Sequence, residues 1–461
     1  MIIAYILVIL CSALSGWLVK LYLDAQPEEQ KITWTEYIFG LVIIVLVTPL
    51  VMYGMRNHFI QQKTTFNEWW NGWEVSATRQ TIACERDGPC RRTYSCDPYI
   101  VMVQHCTTDE DGDTSCTTTP ETRYHSCPYV TEEWSFYIET TLGRFTVSEN
   151  RFPNSPDQHI WRSDNQIPAD VLSSAGQGIP AFWQEASDRV ASGNPGPVTK
   201  RMQYKNYILA SEHTILKQYA EDIDAFKSAG LLPNLAMSTL PIPDCQESYL
   251  ANKVYFVGLN PQNQQEWFDS IGRLNAEFGS ELQGDVHLVI ADSKAIENID
   301  RYFFALKAYW QNPEAFGKNM LSKNAVLILV TIDGDKVDRV RASTGMPVGN
   351  EAMVTALRSR LVGLSFDSKV IIGTVTSKNH STGVIESVLW GLDDKSTRFQ
   401  RVCMDCIEEG GVGFSYLKKE ITLDNGDIAI IAIIAFVVSM LVWVAFAFIG
   451  EQYAYPWRDS Y

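Results

Sequence analysis

The most constraining feature of the chain is the run from Ile428 to Ile449, which carries no charged side chain. A helix needs about 20 apolar residues to cross roughly 30 Å of hydrocarbon, and buried core helices seldom run that long without a polar break. Two further segments, Ile2 to Val19 and Tyr37 to Met55, meet the same condition. The first has a second reading as a cleaved signal peptide. It lacks a basic n-region, however, and Leu10 precedes Cys11 where a lipoprotein signal has a small residue, so a retained helix is expected. Residues 1–57 therefore read as a transmembrane helical hairpin around the polar loop Asp24 to Glu36, and 427–461 as a C-terminal transmembrane helix with a short tail. The first partner this implies is a lipid bilayer.

With 461 residues, the chain has ample length for soluble cores beyond its anchors. Its 38 Lys+Arg against 54 Asp+Glu give a net charge of -16, which repels a phosphate backbone and argues against nucleic acid as a partner. Lys and Arg beside the apolar segments do not orient them: Lys20 and Lys31 flank the short loop, and Arg56, Lys63, Lys418 and Lys419 flank the large domain. Cysteine does. Cys84, Cys90, Cys96, Cys106, Cys116 and Cys127 crowd into a stretch poor in apolar residues, the pattern of a disulfide-stapled unit outside the cytoplasm. A periplasmic or extracellular position of the large domain is expected.

Residues 58–150 read as an aromatic stalk followed by this Cys-rich β unit. Phe66, Trp69, Trp70 and Trp73 recur at helical spacing, either as an interfacial helix or as a face packed on the folded domain. RTYSCDPYIV returns as TRYHSCPYV, and between Cys106 and Cys116 lies TTDEDGDTS. That acidic stretch misses EF-hand spacing and reads as a hairpin tip, so a Cys106–Cys116 bridge across it is expected. Trp134, Phe136 and Ile138 alternate as in a half-buried strand, which Thr141-Leu142-Gly143 turns into a second one. Residues 151–245 read as an irregular linker, with one helix near Phe182 and a long amphipathic helix over 201–228. Cys403-x-x-Cys406, in the membrane-proximal segment 401–426, has the spacing of a zinc or redox pair and is expected as a small local disulfide, with a metal pair as the alternative. The nine cysteines outside the first helix leave at least one free or bonded to another chain, and Cys245 is the expected one.

Over 246–400 strands and helices alternate, which favours a layered α/β domain. VYFVGL opens it, Asn260-Pro261 reads as a helix start, and VHLVIA is a buried strand. Ile299, Phe303, Leu306 and Trp310 share a helix face. AVLILVT and VDRVRAS flank the turn Asp333-Gly334-Asp335, a helix follows over 350–363, and VIIGTV reads as a last strand.

VHLVIADS, the helix ending in Tyr309-Trp310, and KNAVLILVTIDGDKVDRVRASTGMPVG together resemble the TPM domain. That family includes thylakoid-lumen proteins of photosystem repair, bacterial envelope proteins and a receptor-modulating membrane protein. The resemblance covers residues of about 254–376 only. Ala325 stands where the family often has Gly, and Asn260 replaces its usual acidic residue. The fold expected is an α+β membrane protein with three transmembrane helices, a disulfide-rich β unit and a TPM-like α/β domain.

The resemblance implies a membrane-anchored envelope module that binds a protein partner, or alternatively a divalent-metal-dependent phosphatase. No G-x-S-x-G, H-E-x-x-H or P-loop is present, so whether the chain is an enzyme stays open. Asp292 directly follows VHLVIA, and Asp333 follows AVLILVT after one residue. If these strands are parallel, both carboxylates emerge at their C-terminal ends, where open α/β sheets bind ligands. Asp292, Asp333 and Asp335 are thus the candidate metal site, for Ca²⁺ or Mg²⁺. The competing reading is a helix cap at Asp292 and a plain hairpin turn at Asp-Gly-Asp.

Overall fold

The computed structural model describes residues 2–25, 32–81, 90–108, 114–131, 133–153, 160–161, 181–210, 218–235, 239–242, 245–250, 253–345, 349–374, 382–402 and 414–452. Helix α1 (Ile2–Asp24) and helix α2 (Trp34–Thr64) form the predicted hairpin. The start of α2 is fixed by a capping box: the Thr33 hydroxyl accepts from the Glu36 backbone N–H, and the Glu36 carboxylate accepts from that of Thr33. With the C-terminal helix, these are three helices long and apolar enough to cross a membrane.

Helix α2 passes straight into strand β1 (Thr65–Thr81). The aromatic stretch read as helical is thus the first half of a strand. Phe66 and Trp70 lie on one face of it and Trp69 and Trp73 on the other, a distribution that helical spacing also satisfies. The strand wins because this stretch pairs along its whole length with a later strand, while the second half of β1 pairs with another. Strand β2 (Cys90–Thr108) and strand β3 (Thr114–Thr131) then form a long antiparallel ribbon. Strand β4 (Glu133–Thr140) and strand β5 (Gly143–Pro153) follow as the expected hairpin, and β6 (Ile160–Trp161) adds briefly to β3.

Helix α3 (Ala181–Ala191) occupies the region predicted around Phe182. The long helix expected over 201–228 is not formed. Strand β7 (Pro197–Lys205) pairs with β1, and the chain then turns at Asn206, whose side chain accepts from the N–H groups of Ile208 and Leu209. Among the described residues, only helix α4 (Ala220–Ser228) remains of the prediction. The resulting antiparallel sheet has the order β5-β4-β1-β7. Strand β8 (Thr239–Ile242) and strand β9 (Cys245–Leu250) make a separate small hairpin.

The α/β unit is built on the sheet β10-β11-β12-β13, comprising β10 (Val254–Val257), β11 (Asp285–Asp292), β12 (Ala325–Asp333) and β13 (Lys336–Thr344). The first three strands are parallel and the last returns antiparallel. Helix α5 (Gln264–Glu281) joins β10 to β11, and helix α6 (Ile299–Trp310) joins β11 to β12. Helix α5 starts later than Asn260-Pro261 suggested, with Asn263 at its N-cap. Helix α7 (Glu351–Leu361) and helix α8 (Val384–Trp390) pack on the same face as α5. The predicted strand VIIGTV is instead a single helical turn, Ser368–Ile371, started by the Asp367 carboxylate accepting from the Lys369 N–H; Gly373 bridges only to Thr382.

Two apolar layers sandwich this sheet. On one face Trp267, Ile271, Leu274 and Phe278 of α5 meet Leu288, Ile290 and Ile328. On the other, Tyr302, Phe303, Leu306 and Trp310 of α6 meet Val289, Leu327 and Leu329. Such fully buried parallel strands carry apolar residues on both faces, which is why VHLVIA and AVLILVT are continuous runs.

Helix α9 (Asn425–Gln452) packs against α1 and α2. Trp443 is buried among them: its indole N–H donates to the Ser12 carbonyl at 2.9 Å, and its ring stacks on Tyr37 at 5.2 Å between centroids. Gly16 and Gly40 form the notch that receives it, since a Cβ at either position would overlap the indole.

Candidate functional site

The parallel register sets Asp292 of β11 beside Ile332 of β12, so Asp292 and Asp333 leave the sheet at the same C-terminal edge. The Asp292 carboxylate accepts from the Lys294 backbone N–H at 3.0 Å, an Asx-type turn. Asp333 pairs across the hairpin with Lys336, Gly334 takes φ 64°, and the Asp335 carbonyl accepts from the Phe366 N–H at 2.7 Å. Asp333 and Asp335 are exposed and Asp292 is half-buried.

Two disulfides staple the β2/β3 ribbon, Cys96–Cys127 and the expected Cys106–Cys116. Cys84, Cys403 and Cys406 lie outside the described residues, as do the side chains of Cys90 and Cys245. The third bridge of the Cys-rich unit and the Cys403–Cys406 pair therefore also lie outside them.

At the opposite, N-terminal edge of the α/β sheet lies a charged cluster that the sequence reading missed. Lys253, immediately before β10, donates to Asp285 Oδ2 at 3.0 Å, and the His287 ring nitrogen Nε2 lies 2.6 Å from the same oxygen. Tyr255 completes the chain, its hydroxyl 3.1 Å from His287 Nδ1. These contacts define one tautomer: Nε2–H donates to Asp285 and Nδ1 accepts from Tyr255. Burial pushes the His287 imidazole below its ordinary pKa, against the pull of Asp285. Burial also opposes the Asp285 charge, yet Lys253 and His287 outweigh it and hold that carboxyl well below the usual range. The signal was present in the sequence: in a buried strand, Asp285-x-His287 puts two polar side chains on one face.

A cavity of about 20 Å³, room for one water molecule, adjoins this cluster and is lined by Glu68, Trp69, Lys253, Asp285, His287 and Ser322 among others. Glu68 comes from β1 and is 3% exposed. Its carboxylate accepts from the Ser322 hydroxyl at 2.9 Å, from the Asn324 amide at 3.3 Å and from the Arg401 guanidinium. Arg401 also donates to the Gln283 carbonyl at 2.6 Å and stands over the Trp70 ring. One β1 carboxylate thereby ties the strand that continues α2 to the start of β12 and to the segment after α8. Gly279 of α5 reinforces the joint, because it lies so close to the Asn71 backbone that no Cβ fits.

The fold and these sites define a mixed α+β chain with three apolar helices and disulfide-stapled β structure, whose α/β unit is fastened through buried charges to the strand that continues helix α2. Compared with known families, curated proteins and solved structures, the chain has no significant match.

Proposed function

We propose that the chain is a membrane-anchored protein whose TPM-like α/β domain lies on the extracytoplasmic side and serves as a protein-binding or envelope-assembly module. The observation that carries this reading is the buried Glu68 junction. A domain that acts on diffusing substrate gains nothing from a fixed orientation, whereas a docking module does, because a preset pose lowers the entropy lost on binding. The stapled ribbon supports the extracytoplasmic side, since disulfides persist there. Exposed apolar residues on the α/β domain, Val362 and Leu392, supply contact points. Photo-crosslinking amino acids at these two positions, in the native membrane, test the reading. A discrete partner adduct from at least one position is expected, and only lipid or no adduct from both overturns it.

The shared C-terminal edge of Asp292 and Asp333 favours a second reading, a phosphatase that uses Ca²⁺ or Mg²⁺ held by Asp292, Asp333 and Asp335. Calorimetric titration of the chain with each cation, beside an Asp292→Asn/Asp333→Asn variant, decides it. Equal heats from parent and variant, together with no hydrolysis of a generic phosphomonoester, remove it.

A further inference from the structure

The β2/β3 ribbon carries one irregularity. Cys96 pairs with His125 and Pro98 with Tyr124, so Asp97 is an extra residue in a β-bulge. Its φ is 42°, in the left-handed region that non-glycine residues seldom enter, and the proline after it narrows the choice further. Strain of this kind persists where the surroundings impose it and marks positions worth testing for function. Here the bulge brings the Asp97 carboxylate to the Cys96–Cys127 bridge, with one carboxylate oxygen and both sulfurs within 4.8 Å of one another.

We propose that this bridge is the closed form of a metal site: once reduced, Cys96, Cys127 and Asp97 bind a thiophilic divalent cation of the Zn²⁺ class. Two thiolates and a carboxylate are a zinc donor set, and tetrahedral Zn–S bonds of about 2.3 Å put the two sulfurs roughly 3.8 Å apart. The Cα atoms of the two cysteines are 5.8 Å apart, so the sulfurs reach that separation by side-chain rotation alone. Water takes the fourth position. Both cysteines are half-buried and Asp97 is exposed, so a reductant and a metal ion have access. Cys106–Cys116, the other bridge of the same ribbon, belongs to no such group among the described residues.

The chemistry balances. A dithiol donates two electrons and two protons to the S–S bond, giving two cysteine thiols and its own disulfide. Zn²⁺ then displaces both thiol protons to form two Zn–S bonds. A disulfide oxidant takes the two electrons back by thiol–disulfide exchange, becoming a dithiol, which re-forms the bridge and releases the ion; outside the cytoplasm the closed bridge is the resting form.

The test uses the full chain in detergent micelles, reduced with a phosphine and titrated with Zn²⁺ against a chromogenic chelator. The reduced parent should hold one zinc equivalent more than its Cys96→Ser/Cys127→Ser variant, and the oxidised parent should lack that equivalent. Cys106→Ser/Cys116→Ser should retain it. Asp97→Asn, which keeps both cysteines, should bind at least tenfold more weakly after reduction. Equal stoichiometry in reduced parent and Cys96→Ser/Cys127→Ser overturns the proposal. If that variant fails to fold, unchanged zinc affinity in Asp97→Asn overturns it instead.

Discussion

Glu68 and Arg401 form an ion pair between positions 333 residues apart in sequence, joining the strand that leaves the apolar helices to the segment that leads back toward them. Arg401 remains partly exposed, while Glu68 is almost fully enclosed. Truncation of Glu68 would leave the hydroxyl of Ser322 and the amide of Asn324 without their acceptor and Arg401 without its counter-charge.

Glu68→Ala should therefore lower stability by about 3 kcal/mol, near the lower end for a broken buried pair. Urea unfolding of the detergent-solubilised chain, followed by tryptophan fluorescence, measures this, since Trp70 lies under the Arg401 guanidinium. A shift in midpoint below a few tenths of a kcal/mol in equivalent would show that the junction does not hold the α/β unit.

Stability should fall in two steps as pH is lowered. The folded His287 pKa lies below its ordinary 6.5, so the unfolded chain takes up a proton there that the folded one refuses, and stability declines as pH drops below about 6.5. Asp285 is likewise depressed from 3.8, so its contribution is complete above that value and is lost at lower pH. Unfolding midpoints measured from pH 8 to 3 should show both declines. His287→Asn should flatten the upper one.

Two glycines should respond oppositely to alanine. A Cβ on Gly345 would run into the backbone of Ser322 and Lys323, so Gly345→Ala should cost about 1 to 3 kcal/mol as an overpacked site. Gly272, within α5, has open space where its Cβ would go, and Gly272→Ala should add about 0.5 to 1 kcal/mol through helix propensity. Thermal unfolding of the pair of variants checks both signs.

The seat of Trp443 gives a prediction for the apolar helices. Ser12 and Ser439 hydrogen-bond at 2.9 Å, so cysteines at both positions should crosslink on mild oxidation. Adding Gly16→Leu, which fills the notch under the indole, should abolish that crosslink. Persistent crosslinking would mean that the notch does not set helix packing.

The α/β sheet was legible because a strand buried on both faces is apolar along most of its length, and VHLVIA and AVLILVT have both that composition and strand length. The bridge Cys106–Cys116 was legible because a short acidic tip between two cysteines brings them opposite each other. The first half of β1 was misread, since Phe66, Trp69, Trp70 and Trp73 satisfy a helix face and a two-sided strand equally. A partner far along the chain, β7, decided between them. The segment after Lys205 failed for a local reason, the Asn206 turn, which competes with the helical pattern of Tyr207 and Leu209. Within the cluster, the Asp285-x-His287 spacing was readable in one strand, but its partner Lys253 lies 32 positions before Asp285, and no single-segment pattern brings it there.

The direct passage from α2 into β1 makes the molecule a lever without a swivel. No linker separates the two: Thr65 donates its side-chain hydroxyl to the Gln61 carbonyl, and the Asn206 N–H donates to the Thr64 carbonyl across the junction. A 17-residue strand extends about 55 Å at roughly 3.3 Å per residue. If α2 spans a bilayer and tilts by about 10° to match a change in its thickness, a point about 50 Å out along that arm moves by roughly 9 Å. The α/β domain, pinned at Glu68 only about 10 Å along the arm, would shift by roughly 2 Å, so a change in bilayer thickness would be felt most at the far end of β1 and least at the buried charges.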